Sequence, residues 1–424
     1  MMGADGGKGE PSLLFISSDK YPPFRVDVRI LFAKELASRG YRIDWILQSE
    51  QPCTADHVES WGGGRAWVAR TDPGAGRMNR LRKHLYSLRN DLRMFGLARR
   101  NRYDIIQVKD KFIAALFGLV AARLAGARFT YWLSYPFPEE SLFVAKEGSA
   151  RYPVFYRIRG IVFKFLLYRI IMPLADHVFV QSEQMKRDVH AMGIPVEKMT
   201  AVPMGVELAA IPYRPDAAST GGSAPKKVVY LGTLIKVRRL DFLIRVFALV
   251  RQRHEAVQLV MVGDGDDPAD RQLLELEANR LGVRDAVIFT GFLPMAEAWR
   301  YVASADVCVS PFFPTPILNS TSPTKLIEYM AMAKPVVAND HPEQNLVLSE
   351  SGGGYCVAWD ENSFAQAIIA LLENPDRARE MGKAGRRYVE QHRDYGKIAD
   401  CVAAEYRRIS GQRSPVAQCH GREE

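Results

Sequence analysis

Short apolar runs separated by stretches of helical periodicity recur through nearly the whole of this 424-residue chain, and that alternation constrains its fold more than any other feature. Continuous apolar runs suit strands buried on both faces, and helical connections of this length suit crossovers between parallel neighbours, so the pattern predicts parallel sheets covered by helices. A first series begins with Leu13 to Ser17, a helix from Val28 to Arg39 and a strand from Arg42 to Leu47. It continues through Asp104 to Val108, a helix from Phe112 to Ala125, Phe129 to Trp132 and His177 to Gln181. A second opens with Val228 to Gly232, a helix from Leu240 to Arg253 and Gln258 to Gly263, with further strands at Ala286 to Thr290, Asp306 to Ser310, Pro335 to Ala338 and Gly354 to Val357. The Pro-, Ala-, Ser- and Gly-rich stretch near Pro212 to Lys227 has no periodicity and reads as a linker. The length fits two domains. The expected division is a disordered tail over 1–11, a first doubly wound domain over 12–210, a linker over 211–227, a second doubly wound domain over 228–394, a helix over 395–410 that crosses back to the first domain, and a disordered tail over 411–424.

The composition, 47% hydrophobic and 25% charged, is that of an ordinary globular protein. Five widely spaced cysteines show no metal-binding or disulfide spacing and read as reduced thiols. The glycine-rich start, Met1 to Pro11, carries no apolar signal core, which predicts a cytoplasmic protein. A net charge of +9 favours anionic partners. Basic residues dominate between Arg77 and Arg102, with Asp91 as the one acid. The stretch from Tyr152 to Met172 is aromatic and aliphatic with interspersed Arg157, Arg159, Lys164 and Arg169, too many charges for a membrane span. It fits a core-packed helix with snorkelling ends as well as a helix lying on a membrane.

The segment Ser322 to Ala338 puts a cation, a helix start and a carboxylate within two turns. Ser322 reads as an N-cap with Pro323 at the first helical position, so free N–H groups near Thr324 and the positive helix end join Lys325. Glu328, one turn on, can reach ribose hydroxyls. Together these groups suit a nucleoside diphosphate; a capped helix with a solvated Lys–Glu pair is the plainer alternative.

Further motifs stand in fixed order: Val202-Pro203-Met204-Gly205-Val206-Glu207, Gly232-Thr233-Leu234 with Arg238, Val262-Gly263-Asp264-Gly265, Phe289-Thr290-Gly291-Phe292, and Ala305 to Pro311. With Ser322 to Ala338 they make the chain resemble glycosyltransferase family 4, retaining enzymes of GT-B architecture. The resemblance implies two facing Rossmann-like domains with a cleft between them. The first would bind acceptor and the second the nucleotide-sugar. Family members commonly carry two glutamates with seven residues between them; Glu328 matches the second, and Ser320 stands at the first. The Ser322-Pro323-Thr324-Lys325 loop is similar to that of subfamilies acting on lipid-linked saccharides. Thr233 stands where an arginine is usual, Arg238-Arg239 in place of a Lys–Gly pair, and Ser134-Tyr135 near the place of a histidine.

By this resemblance the catalytic candidates are Arg238, Lys325 and Glu328, and the donor-binding candidates are Gly232, Thr233, Gly263, Asp264, Gly265, Ser322, Pro323 and Thr324. Gly263-Asp264-Gly265 reads equally as a plain tight turn. Arg25, Asp27 and Arg29 follow the first strand and either contact the acceptor or are exposed charges at a helix start. No Asp or His cluster has metal-ligand spacing, so the expected reaction uses no metal and no cofactor. The implied function is retaining transfer from a UDP- or GDP-type donor to a lipid-linked saccharide acceptor, in cell-surface or extracellular polysaccharide synthesis, peripheral on the inner face of the plasma membrane. A decayed nucleotide-sugar sensor is the alternative, given Ser320. A dinucleotide oxidoreductase is disfavoured because neither opening strand is followed by Gly-x-Gly-x-x-Gly. A nucleic-acid partner is disfavoured because no aromatic platform accompanies the basic stretch.

Overall fold

The computed structural model describes residues 9–74, 76–148, 152–213 and 225–412. Most of the expected tails, and positions 214–224 of the expected linker over 211–227, lie outside the described residues, while Lys226 and Lys227 at its end belong to a strand. Chain contacts divide the molecule into two compact units, Met1–Pro203 with Tyr395–Glu424, and Met204–Asp394. The second unit begins ahead of the expected boundary at 210, because Val206 bridges to Asp394, donates its N–H to the Arg393 carbonyl and buries its side chain among Val229, Val260 and Ala338.

In the first unit, β1 (Leu13–Tyr21), β2 (Ile43–Ser49), β3 (His57–Trp61), β4 (Gly64–Ala69), β5 (Ile105–Lys109), β6 (Arg128–Leu133), β7 (His177–Val180) and β8 (Met199–Ala201) form one sheet in the order β3-β4-β2-β1-β5-β6-β7-β8. All neighbours are parallel except β3 and β4. Along β1, Leu14 and Ile16 enter one core with Ile106, Val108 and Phe129, while Leu13 and Phe15 enter the opposite core with Phe32, Trp45 and Tyr406. The period of two explains why this run is apolar at every position. The β3–β4 hairpin was not anticipated. Its outer strand is largely exposed and polar, and its turn is made by Gly62 and Gly63, both at positive φ (56° and 84°), as a two-residue hairpin loop requires.

The final helix, Tyr395–Ile409, belongs to this unit. Tyr395, Ile398, Ala399, Val402, Ala403, Tyr406 and Ile409 form one buried stripe at helical spacing and pack against the π-type helix Asp27–Leu36. The helix Pro153–Phe165 packs on one face only, where Phe163 stacks on Phe112 at 4.6 Å and Gly160 is buried. Val154, Phe155, Ile158, Ile161 and Phe165 are each more than half exposed, and only where the chain continues into Leu166–Ile171 do Leu167, Tyr168 and Ile171 become buried. Among the described residues no helix is long and apolar enough to cross a membrane. Cys53, Cys308 and Cys356 are free, whereas Cys401 is disulfide-bonded, which corrects the expectation of five reduced thiols.

In the second unit, β9 (Lys226–Leu231), β10 (Val257–Val262), β11 (Val287–Phe289), β12 (Val307–Ser310), β13 (Val336–Asn339) and β14 (Gly354–Val357) form an all-parallel sheet in the order β11-β10-β9-β12-β13-β14. The strand order turns back at β9, between β10 and β12. In open α/β sheets ligands bind beyond the carboxyl ends of the strands at such a switch point.

Candidate active site

The loops after β9, β10 and β12 and the start of the helix Thr324–Ala331 meet at this switch point. Gly232 donates its N–H to Val262 O at 2.9 Å, and Leu234 donates to Asp264 O at 2.9 Å, so the loop after β9 rests on the loop after β10. Gly263 lies at φ +131°, and a Cβ there would fall 2.2 Å from the Gly232 carbonyl oxygen. The approach therefore requires glycine at this position. Asp264 accepts from the Gly265 N–H at 3.0 Å through its own side chain, which closes the turn. Gly263, Asp264 and Gly265 thus build the platform under Gly232 and Thr233. The structure shows a supporting turn.

Lys325 sits in the first turn of the helix and is only 8% exposed. Its Nζ lies 3.4 Å from the Tyr230 hydroxyl, 4.8 Å from the centre of the Tyr230 ring and 4.6 Å from that of Phe312. Phe312 is held in place by Asn339, whose Oδ1 accepts its N–H at 2.6 Å and whose Nδ2 donates to its carbonyl at 2.8 Å. No carboxylate forms an ion pair with Lys325 among the described residues. Burial depresses its pKa well below the ordinary lysine value, repulsion from Arg238 adds to that, and the Glu328 charge opposes it. Arg238 closes the short turn Lys236–Arg238, and its Nε is buried with no partner among the described residues. The expected cations are therefore neighbours, half-buried or buried, and neither is neutralised by a paired acid. An anion supplied from outside would satisfy both.

Glu328 is half-buried, and burial raises its pKa to about 7 against the opposing pull of Lys325. The helix has no side-chain cap: it begins at Thr324 with Pro323 at the cap position. That corrects the expectation for Ser322, whose hydroxyl instead accepts the Met204 N–H at 3.0 Å. The N–H groups at Thr324 and Lys325 are left without a cap, at the positive end of the helix. Thr233 is exposed, and its carbonyl accepts from Tyr230 Oη at 3.3 Å. Ser320, in place of the family's first glutamate, is 4% exposed.

In the first unit, Asp27 is 1% exposed and belongs to a buried charge cluster. Arg25 Nε lies 3.1 Å from Asp27 and 3.7 Å from Asp19; Lys109 Nζ lies 2.8 Å from Asp19 and 3.6 Å from both Asp27 and Asp110. Ser134 donates its hydroxyl to Asp110 and also accepts from Arg25 Nη1 at 3.1 Å. Burial works to raise the pKa of Asp27, but Lys109 and Arg25 outweigh it and hold the carboxylate below its usual range. Arg29 is exposed. The structure therefore separates the three acceptor candidates: Asp27 is a cluster member, Arg25 bridges the cluster to the surface, and Arg29 faces solvent. Sequence reading missed Tyr230, Phe312, Lys109 and Asp110. Tyr230 sits inside the apolar run of β9, where nothing distinguishes it from a core residue, and Lys109 ends β5 as a charge whose burial only the assembled fold decides.

Two family models match the chain: "Glycosyl transferases group 1" over residues 225–374 and "Glycosyltransferase Family 4" over residues 30–210. The chain belongs to glycosyltransferase family 4. Its two parallel-sheet α/β units are those of the GT-B fold. Sucrose-phosphate synthase from Thermosynechococcus elongatus is similar with a TM-score of 0.73 at 20% identity, covering 95% of this chain and 99% of that one. Anabaena HepE in complex with UDP and glucose is similar with a TM-score of 0.66 at 16% identity, covering 93% and 98%. In sequence, the alpha-monoglucosyldiacylglycerol synthase of Streptococcus pneumoniae is 26% identical over 292 residues, which is 66% of this chain and 62% of that protein. The first curated relatives are matched over only 47% to 62% of their length.

Proposed function

We propose that this family 4 glycosyltransferase moves a sugar, with retention and without a metal ion, from a UDP- or GDP-type nucleotide donor to a lipid-linked saccharide acceptor during cell-surface or extracellular polysaccharide synthesis. The observation that carries the reading is Lys325, a buried lysine with no ion-pair partner among the described residues, beside Arg238 at an uncapped helix start. Breaking a sugar–diphosphate bond leaves charge on the nucleotide, and preorganised cations in a partly dry site stabilise that charge. Arg238, Lys325 and the N–H groups near Thr324 perform this role. Glu328 holds the ribose hydroxyls. The acceptor attacks on the face from which the nucleotide departs; its hydroxyl proton passes to the departing phosphate, and no protein nucleophile is used.

The lipid-linked acceptor and an inner-membrane location are supported by the exposed apolar face of Pro153–Phe165, flanked by Arg157 and Lys164, and by the exposed arginines Arg82, Arg89, Arg99 and Arg100. The name of the pneumococcal relative, alpha-monoglucosyldiacylglycerol synthase, agrees with a lipid acceptor. The UDP and glucose bound in the HepE structure agree with the donor class. A thermal-shift screen against UDP, GDP, ADP and TDP and their sugars tests the donor, with one nucleotide expected to give a clear shift. Donor hydrolysis without acceptor separates an enzyme from a sensor: a chain that binds the sugar nucleotide and never cleaves it is the sensor.

A further inference from the structure

A second cationic site lies wholly within the first unit. The carboxyl ends of β1 and β2 contribute Ser17, Ser18, Lys20 and Gln48; one face of the helix Arg77–Asp91 contributes Arg80, Lys83, His84 and Ser87; and Lys111 enters from the residue before the helix Phe112–Ala125. Together they line a cavity of about 360 Å³. Residues 80, 83, 84 and 87 are spaced i, i+3, i+4 and i+7, which places them on one helix face. The lining holds three lysines, an arginine and a histidine, and it contains neither a carboxylate nor an aliphatic side chain. Three lysines and an arginine with no carboxylate among them favour an anionic ligand.

The charge is only partly compensated from behind. Lys111 Nζ is 2.5 Å from Asp91 and 3.1 Å from the Ser87 hydroxyl. Lys20 donates to the Gln48 side-chain oxygen, and Lys83 donates to the Gly74 carbonyl at 3.4 Å; both acceptors are neutral. Gln48 Nε2 in turn donates to the Lys83 carbonyl at 2.8 Å, which ties the helix to the strand end and fixes the cavity wall. Desolvation lowers the Lys20 pKa, and repulsion from Lys111 and Lys83 adds to it, against the attraction of Glu50 and Asp91. Lys20 and Lys83 are therefore short of negative charge. A phosphoryl dianion would supply it, since several lysines can each direct an N–H at one of its oxygens.

We propose that this cavity is a phosphate subsite of the first unit and takes a phosphate or diphosphate group borne by the acceptor. The proposal rests on the glycosyltransferase reading only for the word acceptor; the anion site itself does not. Its volume is at the small end for ligand pockets, about 300–1,000 Å³, enough for a phosphate together with the first sugar or second phosphoryl attached to it.

The test is calorimetric titration of inorganic pyrophosphate into the full chain, first alone and then saturated with the nucleotide that wins the thermal-shift screen. Binding that persists under nucleotide and weakens at least tenfold in K20Q/K83Q, but not in R99Q/R100Q, is the expected result. Loss of all pyrophosphate binding under nucleotide overturns the proposal, as does equal weakening in both double variants, which would mean diffuse surface charge. Competition by vesicles containing phosphatidic acid would assign the phosphate to a lipid, and competition by glucose 1-phosphate to a soluble sugar; either supports the site. Pyrophosphate binding in a chain that turns over no donor would leave the subsite standing and remove the proposed function. Turnover without the second pyrophosphate site would do the reverse.

Discussion

Lys325 Nζ stands 3.4 Å from the hydroxyl of Tyr230, between that ring and Phe312, and no carboxylate pairs with it among the described residues. A cation buried in this way costs stability and is useful only when an anion arrives. Lys325→Met should therefore leave the melting temperature unchanged or raise it. Turnover should fall by about 10²–10³, the loss typical of one preorganised charge-stabilising group. The pH dependence follows from the depressed pKa. The cost is fully present below the folded-state value and is relieved as pH rises toward the ordinary lysine range. Equal kcat in the purified variant would remove Lys325 from the mechanism. Arg238→Ala is expected to act in the same way.

Glu328 gives the opposite kind of pH dependence. Its folded-state pKa of about 7 exceeds the ordinary carboxyl value of 4.5, so the carboxyl is neutral at no cost at low pH, and stability falls as pH rises through the window between those values. At 1.36 kcal/mol per unit the full cost is roughly 3 kcal/mol, an upper bound for a half-buried group. Denaturant midpoints of Glu328→Gln should show a flatter profile than wild type from pH 4.5 to 8, with the variant the more stable at pH 8. Nucleotide affinity should weaken by about 1.5–3 kcal/mol, because the ribose loses a charged acceptor. Unchanged affinity by calorimetry would reject the ribose role.

Asp27 separates structure from acceptor binding. Removing Asp27 takes away the carboxylate 3.1 Å from Arg25 Nε and leaves Arg25 and Lys109 to share Asp19 and Asp110 across the gap in a buried place, so Asp27→Ala should cost about 3–5 kcal/mol in urea unfolding. Arg29→Ala, at an exposed position, should stay within about 0.5 kcal/mol. A mild effect at Asp27 with a large rise in acceptor KM would return it to the binding site.

The absence of metal from the proposed mechanism is tested by chelation. Turnover in excess EDTA should equal turnover in its absence, since Arg238 and Lys325 carry the charge that a divalent ion would otherwise supply. Activity abolished by chelator and restored by magnesium would sink the electrostatic account of these two residues.

Membrane attachment is tested on the exposed face of Pro153–Phe165. Phe155→Glu with Ile158→Glu should abolish cosedimentation with anionic vesicles at low salt while leaving thermal stability intact, because both side chains are more than half exposed. Full retention of vesicle binding would move the contact elsewhere.

The chain by itself determined the class of fold and the place where Lys325 meets a helix start. Strands such as β1 and β9 are apolar at consecutive positions because both faces of the sheet are covered, and the helix Thr324–Ala331 follows a proline that presets its start. These are local signals, readable within a few residues. The β3–β4 hairpin was missed because an edge strand buries little and so carries no apolar pattern. Only the tertiary structure decided that Ser322 bonds Met204 rather than capping the helix, and that Tyr230 and Phe312 enclose Lys325. It also decided that Asp27 joins Lys109 and Asp110 in a buried cluster. Each of these turns on which residues, distant along the chain, the parallel crossovers bring to one strand end. Burial and charge pairing are properties of that assembled neighbourhood, and no single segment encodes them.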